Sequence, residues 1–321
     1  KKPILAVMSL ADKVKGQGVG SAYEEQLALI KDMLGSDYNI RVNPLFPGDV
    51  THYHSINLRF FFHSLICRRR CVKVGSVHFI PETLERSIKL PQPIKKIFYK
   101  YVLRFYKNMD ILVTVNPIFI DKLVDLGFEK NNIKYIPNFV SSDNFYRLSG
   151  ENRALICKKL GISPDIFTII GVGQVQTRKG IVDFVEVAKR LPEYQFVWVG
   201  GFSFGRITDG YEMLKEIVES PPANVKFPGI IDRAEMNEMY NIADLMFLPS
   251  YSELFPMTVL EAMQVGTPML LRNLDLYKDI LFDHYLSSDN NEDFVLYIKK
   301  LATDDDFHSF WTNKSIEGGK K

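Results

Sequence analysis

The stretch DLMFLPSYSELFPMTVLEAMQVGTP at residues 244–268 decides the fold. Its first seven residues form a short apolar run suited to a buried parallel strand. Pro256 followed by Met257, Val259, Leu260, Ala262 and Met263 has helical spacing, and Gly266 supplies the stop. The stretch is therefore a strand, a loop and a helix. In doubly wound α/β domains ligands collect where the carboxyl ends of parallel strands meet helix N-termini, because unpaired N–H groups and the helix dipole favour anions there. Glu253 in the loop and Glu261 in the helix bracket this point with seven residues between them. Carboxylates are acceptor-only groups that suit sugar and ribose hydroxyls. Spacing alone leaves two readings open. Both acids face one crevice from different depths, or Glu253 is a solvated loop charge and Glu261 a buried glutamate bonded to backbone.

Strand and helix patterns alternate on either side of this stretch. Strands are expected at 167–173, 194–201, 225–228, 245–248 and 269–272, with helices from about 180 and at 234–242. Arg178 and Lys179 stand just before a helix start, where the dipole disfavours cations unless an anion sits between them and the helix; solvated loop charges are the alternative. The first half repeats the alternation, with strands at 3–10, 38–43, 50–56, 72–79 and 111–116. A glycine-bearing loop at 16–21 precedes a helix over 23–33. His78 falls at the carboxyl end of the 72–79 strand. Residues 141–150 are polar and irregular, giving an N-terminal unit over 1–140, a linker over 141–150 and a C-terminal unit over 151–321. The final residues, NKSIEGGKK, read as a frayed end. The expected class is α/β, two doubly wound Rossmann-like domains with a cleft between them.

The 321 residues, 46% of them hydrophobic, can fill two cores, and no run of about eighteen apolar residues spans a bilayer. No charged-then-apolar leader is visible. Cys67, Cys71 and Cys157 have neither the density of a disulfide framework nor zinc spacing, so a reducing, cytosolic setting is expected. The net charge of +2 conceals an asymmetry. Residues 1–140 hold 21 Lys and Arg against 12 Asp and Glu, whereas residues 141–321 hold 19 against 26. An anionic partner is expected for the first half.

The basic excess concentrates in residues 86–107, where Arg86, Lys89, Lys95, Lys96, Lys100, Arg104 and Lys107 occur without an acid. After Pro93, basic residues recur every four positions while Ile94, Ile97, Phe98, Tyr101, Val102 and Phe105 fill another face. The pattern fits a helix packed on the sheet with a solvated basic rim, or one lying on an anionic membrane surface. No nucleic-acid module accompanies it, so nucleic acid is not expected as a partner.

The pattern SxxExFPxxxLEAMxxGxP at 250–268 resembles the donor-site signature of the family-4 retaining glycosyltransferases of GT-B architecture. The resemblance implies that Glu253 holds sugar hydroxyls, Glu261 the nucleotide ribose, and Arg178 with Lys179 the donor diphosphate. It also implies that Gly18 and Gly20 close over that diphosphate and that His78 contacts the transferred sugar. Leu254, Phe255, Pro256, Met257 and Thr258 complete the donor loop; the family usually reads EGFG where this chain has ELFP, and Pro256 cannot donate an N–H. RKGIVDFVEVAKRLPEYQFVWVG at 178–200, VKFPGIIDR at 225–233 and LLRNLDLY at 270–277 resemble bacterial glycosyl-diacylglycerol synthases, which build lipoteichoic acid anchors. A hexose, glucose first, passing from a UDP-sugar to diacylglycerol or its monoglucoside is the implied reaction. It would run without metal or other cofactor, on a cytoplasmic protein peripheral to the inner face of the cell membrane. A soluble protein or polysaccharide-precursor acceptor, and a non-catalytic membrane-associated sugar-nucleotide binder, are the alternatives.

Overall fold

The computed structural model describes residues 2–10, 18–67, 71–80, 92–203, 205, 208 and 210–320. The chain divides into two compact units, the first essentially residues 1–139 and the second residues 140–321.

The first unit is a parallel sheet of β1 (Ile4–Met8), β2 (Asn39–Val42), β3 (Val50–Tyr53), β4 (Val72–Val77), β5 (Ile111–Thr114) and β6 (Ile133–Tyr135), in the order β2-β1-β3-β4-β5-β6. Its described helices are α1 (Gly18–Leu34), α2 (Leu58–Leu65), α3 (Gln92–Lys107) and α4 (Ile118–Asp125). α1 begins five residues earlier than expected, so Gly18 and Gly20 occupy its first turn rather than a loop. Val19, Ala22, Tyr23 and Gln26 already keep helical spacing, and a first turn has no intrahelical N–H bonds for glycine to weaken. Cys67 and Cys71 are joined as a disulfide, against the expectation of reduced thiols. The end of α2 and the start of β4 bring their Cα atoms to 5.8 Å, within bridging range. Cys157 is free and buried.

The second unit holds β7 (Thr168–Val172), β8 (Gln195–Val199), β9 (Val225–Gly229), β10 (Leu245–Leu248), β11 (Met269–Arg272) and β12 (Leu286–Ser288), all parallel, in the order β12-β11-β10-β7-β8-β9. The order reverses between β7 and β10, the switch point where a doubly wound sheet opens a crevice. The helices are α5 (Gly150–Leu160), α6 (Ile181–Lys189), α7 (Tyr211–Glu219), α8 (Arg233–Ile242), α9 (Met257–Val265), α10 (Asp275–Leu281), α11 (Asn291–Thr303) and α12 (Asp305–Gly319). Every residue of β7, β10 and β11 is buried, which is why these strands read as unbroken apolar runs. Phe184 of α6 meets Trp198 of β8 edge-on at 5.0 Å and stacks on Phe247 of β10 at 5.7 Å, fixing helix to sheet.

The expected frayed end is instead helical to Gly319. Its polar letters hide a packing face. Ser315 Oγ donates to the Thr267 carbonyl at 2.7 Å, and a Cβ on Gly318 or Gly319 would run into Met263 of α9. Glycine therefore lets two helices approach closely. Among the described residues no helix is long and apolar enough to cross a membrane.

Candidate active site

The site in the second unit is built at the β7/β10 switch point. The chain after β7 makes a 3₁₀ turn at Thr177–Lys179 and enters α6 through Gly180, whose φ of +73° suits glycine. A side chain there would strike the Pro249 carbonyl, so the two strand ends meet because residue 180 has no Cβ. Tyr251 N donates to the Arg178 carbonyl at 2.8 Å, and Arg178 Nη1 donates to the Ser252 carbonyl at 3.0 Å. Lys179 Nζ then reaches both oxygens of Glu253, at 2.7 and 2.9 Å.

The pair is buried, with side-chain exposures of 9% for Lys179 and 4% for Glu253. Burial pushes the Glu253 carboxyl up, but the Lys179 ammonium and the Arg178 guanidinium outweigh it and hold the group below its ordinary value. Burial lowers the Lys179 ammonium, against the pull of Glu253. Thus the two cations at a helix start face a carboxylate of the chain itself. Arg272 of β11 braces the same loop. Its Nε donates to the Pro249 carbonyl at 3.0 Å, its guanidinium lies 4.0 Å from the Tyr251 ring, and Nη2 pairs with Asp183 at 3.2 Å. Near Glu253, Arg178 Nε and the phenol of fully buried Tyr277 have no hydrogen-bond partner, and neither do Gln176 Oε1 before the 3₁₀ turn and Thr258 Oγ1 in the first turn of α9. Burying such groups unpaired costs free energy that a ligand bonding to them would recover.

Glu261 is buried on α9, but its partners are side chains rather than backbone. Arg233 Nη1 donates to one oxygen at 2.6 Å and the Tyr240 hydroxyl to the other at 2.7 Å. A carboxylate has about four acceptor positions, so about two remain for incoming hydroxyls. Burial, then the adjacent Glu261 charge, raises the Tyr240 phenol well above its ordinary value, which keeps it a donor. Tyr240→Phe is expected to cost about 1.5–3 kcal/mol in urea unfolding, since it removes one bond to a buried charge. Pro256 caps α9 without a side-chain bond, Met257 and Thr258 form its first turn, and Leu254 and Phe255 lie in the loop before it.

The first unit gathers three histidines at the ends of β3 and β4. His52 Nε2 lies 2.9 Å from Ser76 Oγ, which in turn lies 3.5 Å from His54 Nδ1. The His78 ring stacks at 6.4 Å from that of His54 and bonds to the His54 carbonyl, while its Nε2 has no partner. The hydrogen therefore sits on Nδ1, and Nε2 presents a lone pair. Burial pushes His52 and His78 down to about 4, aided at His52 by the neighbouring His78, and burial with the neighbouring His52 and His78 holds His54 well below its ordinary value. All three are neutral imidazoles at pH 7. A cavity of about 10 Å³, roughly one water's room, is lined by His54, His78, Tyr23, Gln26 and Asn138.

On α3, Lys96, Lys100, Arg104 and Lys107 are exposed, and Lys95 leans over the Tyr99 ring at 5.6 Å. Arg86 and Lys89 lie outside the described residues. Among the described residues no three His, Cys, Asp or Glu side chains converge as metal ligands. The sequence reading missed Arg233, Tyr240 and Arg272. Arg233 carried the same signal as Arg178, a cation at a helix start facing a buried acid.

A family model described as glycosyl transferases group 1 matches residues 152–317. The chain is 44% identical over 293 residues to an alpha-galactosylglucosyldiacylglycerol synthase of Streptococcus pneumoniae, covering 91% of this chain and 78% of the relative. It is 28% identical to a processive diacylglycerol alpha-glucosyltransferase of Acholeplasma laidlawii, over 96% and 89% of the two chains. The Anabaena protein Alr3699/HepE, solved in complex with UDP and glucose, superposes with a TM-score of 0.77 at 15% identity, covering 99% of this chain and 95% of that one. Such a likeness establishes the GT-B fold for this chain. With two parallel doubly wound sheets, the matched family model and a relative at this identity, the chain belongs to the glycosyl transferases group 1 family.

Proposed function

We propose that the protein transfers a hexose, glucose first, with retention, from a UDP-sugar to a lipid acceptor, diacylglycerol or a glycosyl-diacylglycerol. The observation that carries this reading is the buried Lys179–Glu253 pair, with Arg178 and the unsatisfied Tyr277 phenol beside it. In this reading the diphosphate takes Arg178 and Lys179, which stabilise the negative charge that grows on it as the glycosidic bond lengthens. Glu253, released in part from the lysine, accepts hydroxyls of the sugar. Glu261, fixed by Arg233 and Tyr240, accepts those of the ribose. His78 Nε2, a neutral acceptor, orients the transferred hexose. The relatives' names, a galactosylglucosyldiacylglycerol synthase and a diacylglycerol glucosyltransferase, support the lipid acceptor. The exposed cations of α3 support a seat on the anionic inner face of the cell membrane, and no metal is expected to be required.

The test is transfer from radiolabelled UDP-glucose and UDP-galactose, in EDTA, to anionic liposomes carrying diacylglycerol or its monoglucoside. A labelled glycolipid is the expected product. Release of label only as free sugar, with every donor and acceptor, overturns the lipid reading and moves a soluble acceptor to first place.

A further inference from the structure

α2 leaves an apolar edge in solvent. Of its eight residues, Phe60, His63 and Ser64 are buried, whereas Leu58, Phe62 and Leu65 are 63%, 63% and 55% exposed. Phe60 seats the helix on the core, but a histidine and a serine share its buried side while leucine and phenylalanine face solvent. The arrangement is built. Asn57 caps the helix by accepting from Phe60 N at 2.9 Å, and the Tyr53 hydroxyl lies 2.9 Å from His63 Nδ1, so the polar side is held in place.

Two neighbours extend the apolar surface. The Pro44 carbonyl reaches the His63 ring, which sets the β2–β3 loop against α2 with Leu45 and Phe46 at 73% and 69% exposure. That loop is pinned at Asn43, whose φ of +50° is held by paired bonds of 2.9 Å with the Ser9 backbone. On the other side Phe61 touches Tyr101 and Phe105 of α3 at 5.8 and 6.3 Å. There the apolar face continues past the core to Ile97, 70% exposed. The charges that α2 and α3 themselves carry are of one sign. Arg59, Lys96, Lys100 and Arg104 are exposed, and neither α2 nor α3 contains an acid.

We propose that α2 and the 44–46 loop insert into the interfacial layer of an anionic bilayer while the α3 cations bind its phosphate headgroups. Apolar side chains projecting from three separate elements, beside two helices whose charges are all basic, match a fluid layer that is apolar within and anionic at its edge. This deepens the lipid-acceptor reading and rests on it. It adds that attachment is mainly by insertion, with charge setting the choice of lipid.

The experiment is flotation of the full chain with vesicles of phosphatidylcholine alone or mixed with phosphatidylglycerol, at low and high salt, beside a transfer assay in detergent micelles. Wild-type protein is expected to float with mixed vesicles and to keep part of that binding at high salt. Leu58→Ser/Phe62→Ser/Leu65→Ser is expected to lose about tenfold or more of the salt-resistant binding while transfer in micelles and melting temperature hold. Lys96→Gln/Lys100→Gln/Arg104→Gln is expected to lose the preference for phosphatidylglycerol. Phe62→Trp is expected to be quenched by brominated lipid.

Binding of the serine variant within about twofold of wild type, or no quenching at position 62, overturns the insertion. So does a change in oligomeric state in the serine variant with vesicle binding intact, which assigns the face to a second copy. Transfer in micelles without vesicle binding would sink this inference and leave the proposed function standing. Insertion without transfer to any lipid would do the reverse.

Discussion

Lys179→Met is expected to lower the stability of the C-terminal unit by about 3–5 kcal/mol and to reduce transfer by about 10³-fold. The substitution strands the Glu253 carboxylate in a site where only 4% of its side chain meets solvent. Arg178 Nη1, 3.7 Å away, is the cation that remains, and it is already committed to the Ser252 carbonyl. Adding Glu253→Leu to the same chain is expected to restore most of the stability, because an apolar pair of similar volume has no charge to desolvate. Transfer stays lost in the double variant. Both tryptophans, Trp198 and Trp311, belong to this unit, so their fluorescence in urea follows the relevant unfolding. If the single variant unfolds within about 1 kcal/mol of wild type, the pair behaves as a solvated surface contact and its assigned burial is wrong.

Acid is expected to act on the other unit. Unfolded imidazoles titrate near 6.5, whereas His52 and His78 in the folded chain titrate at about 4 and His54 well below its ordinary value. Between those limits the unfolded chain binds more protons than the folded one. Stability contributed by the neutral imidazoles is therefore complete above pH 6.5 and lost progressively as the pH falls toward 4. Each histidine contributes up to about 1.4 kcal/mol per pH unit in that window, about 4 for three together. His54→Gln is expected to reduce the slope by about a third. Hydrogen exchange at β3 and β4 amides between pH 7 and 5 measures it, with tryptophan fluorescence as a control that the other unit is unaffected. A wild-type slope equal to that of the variant would refute the buried-neutral assignment.

Burial decided what the sequence revealed. β7, β8, β10 and β11 were legible to within one or two residues because a strand covered on both faces is largely apolar. Glu253, Arg178 and Lys179 stood out because charges at a strand end or helix start need a reason. What binds them to one another did not, since Lys179 meets Glu253 across 74 residues of chain. The polarity of α2 was hidden for a related reason. Its letters, LRFFFHSL, do not say which side faces inward, and only the placement of Tyr53 and Asn57 turns His63 inward and Phe62 outward. Residues 313–319 misled in the opposite sense, for serine and glycine signal disorder unless a neighbouring helix needs the space they leave.

The seating of α12 on α9 bears on how the protein is made. Glu261 stands on a helix whose far side is closed by Ser315, Ile316 and Gly318, residues the ribosome adds more than fifty positions later. While a chain is still emerging, α9 lacks that cover, although the strand before it and the acid upon it have already been synthesised. The described strands and helices of the N-terminal unit are all synthesised by residue 139, before the second unit begins, and domains generally fold in that order during translation. The first unit's apolar α2 and basic α3 would then be available to a membrane before the second unit has finished its core.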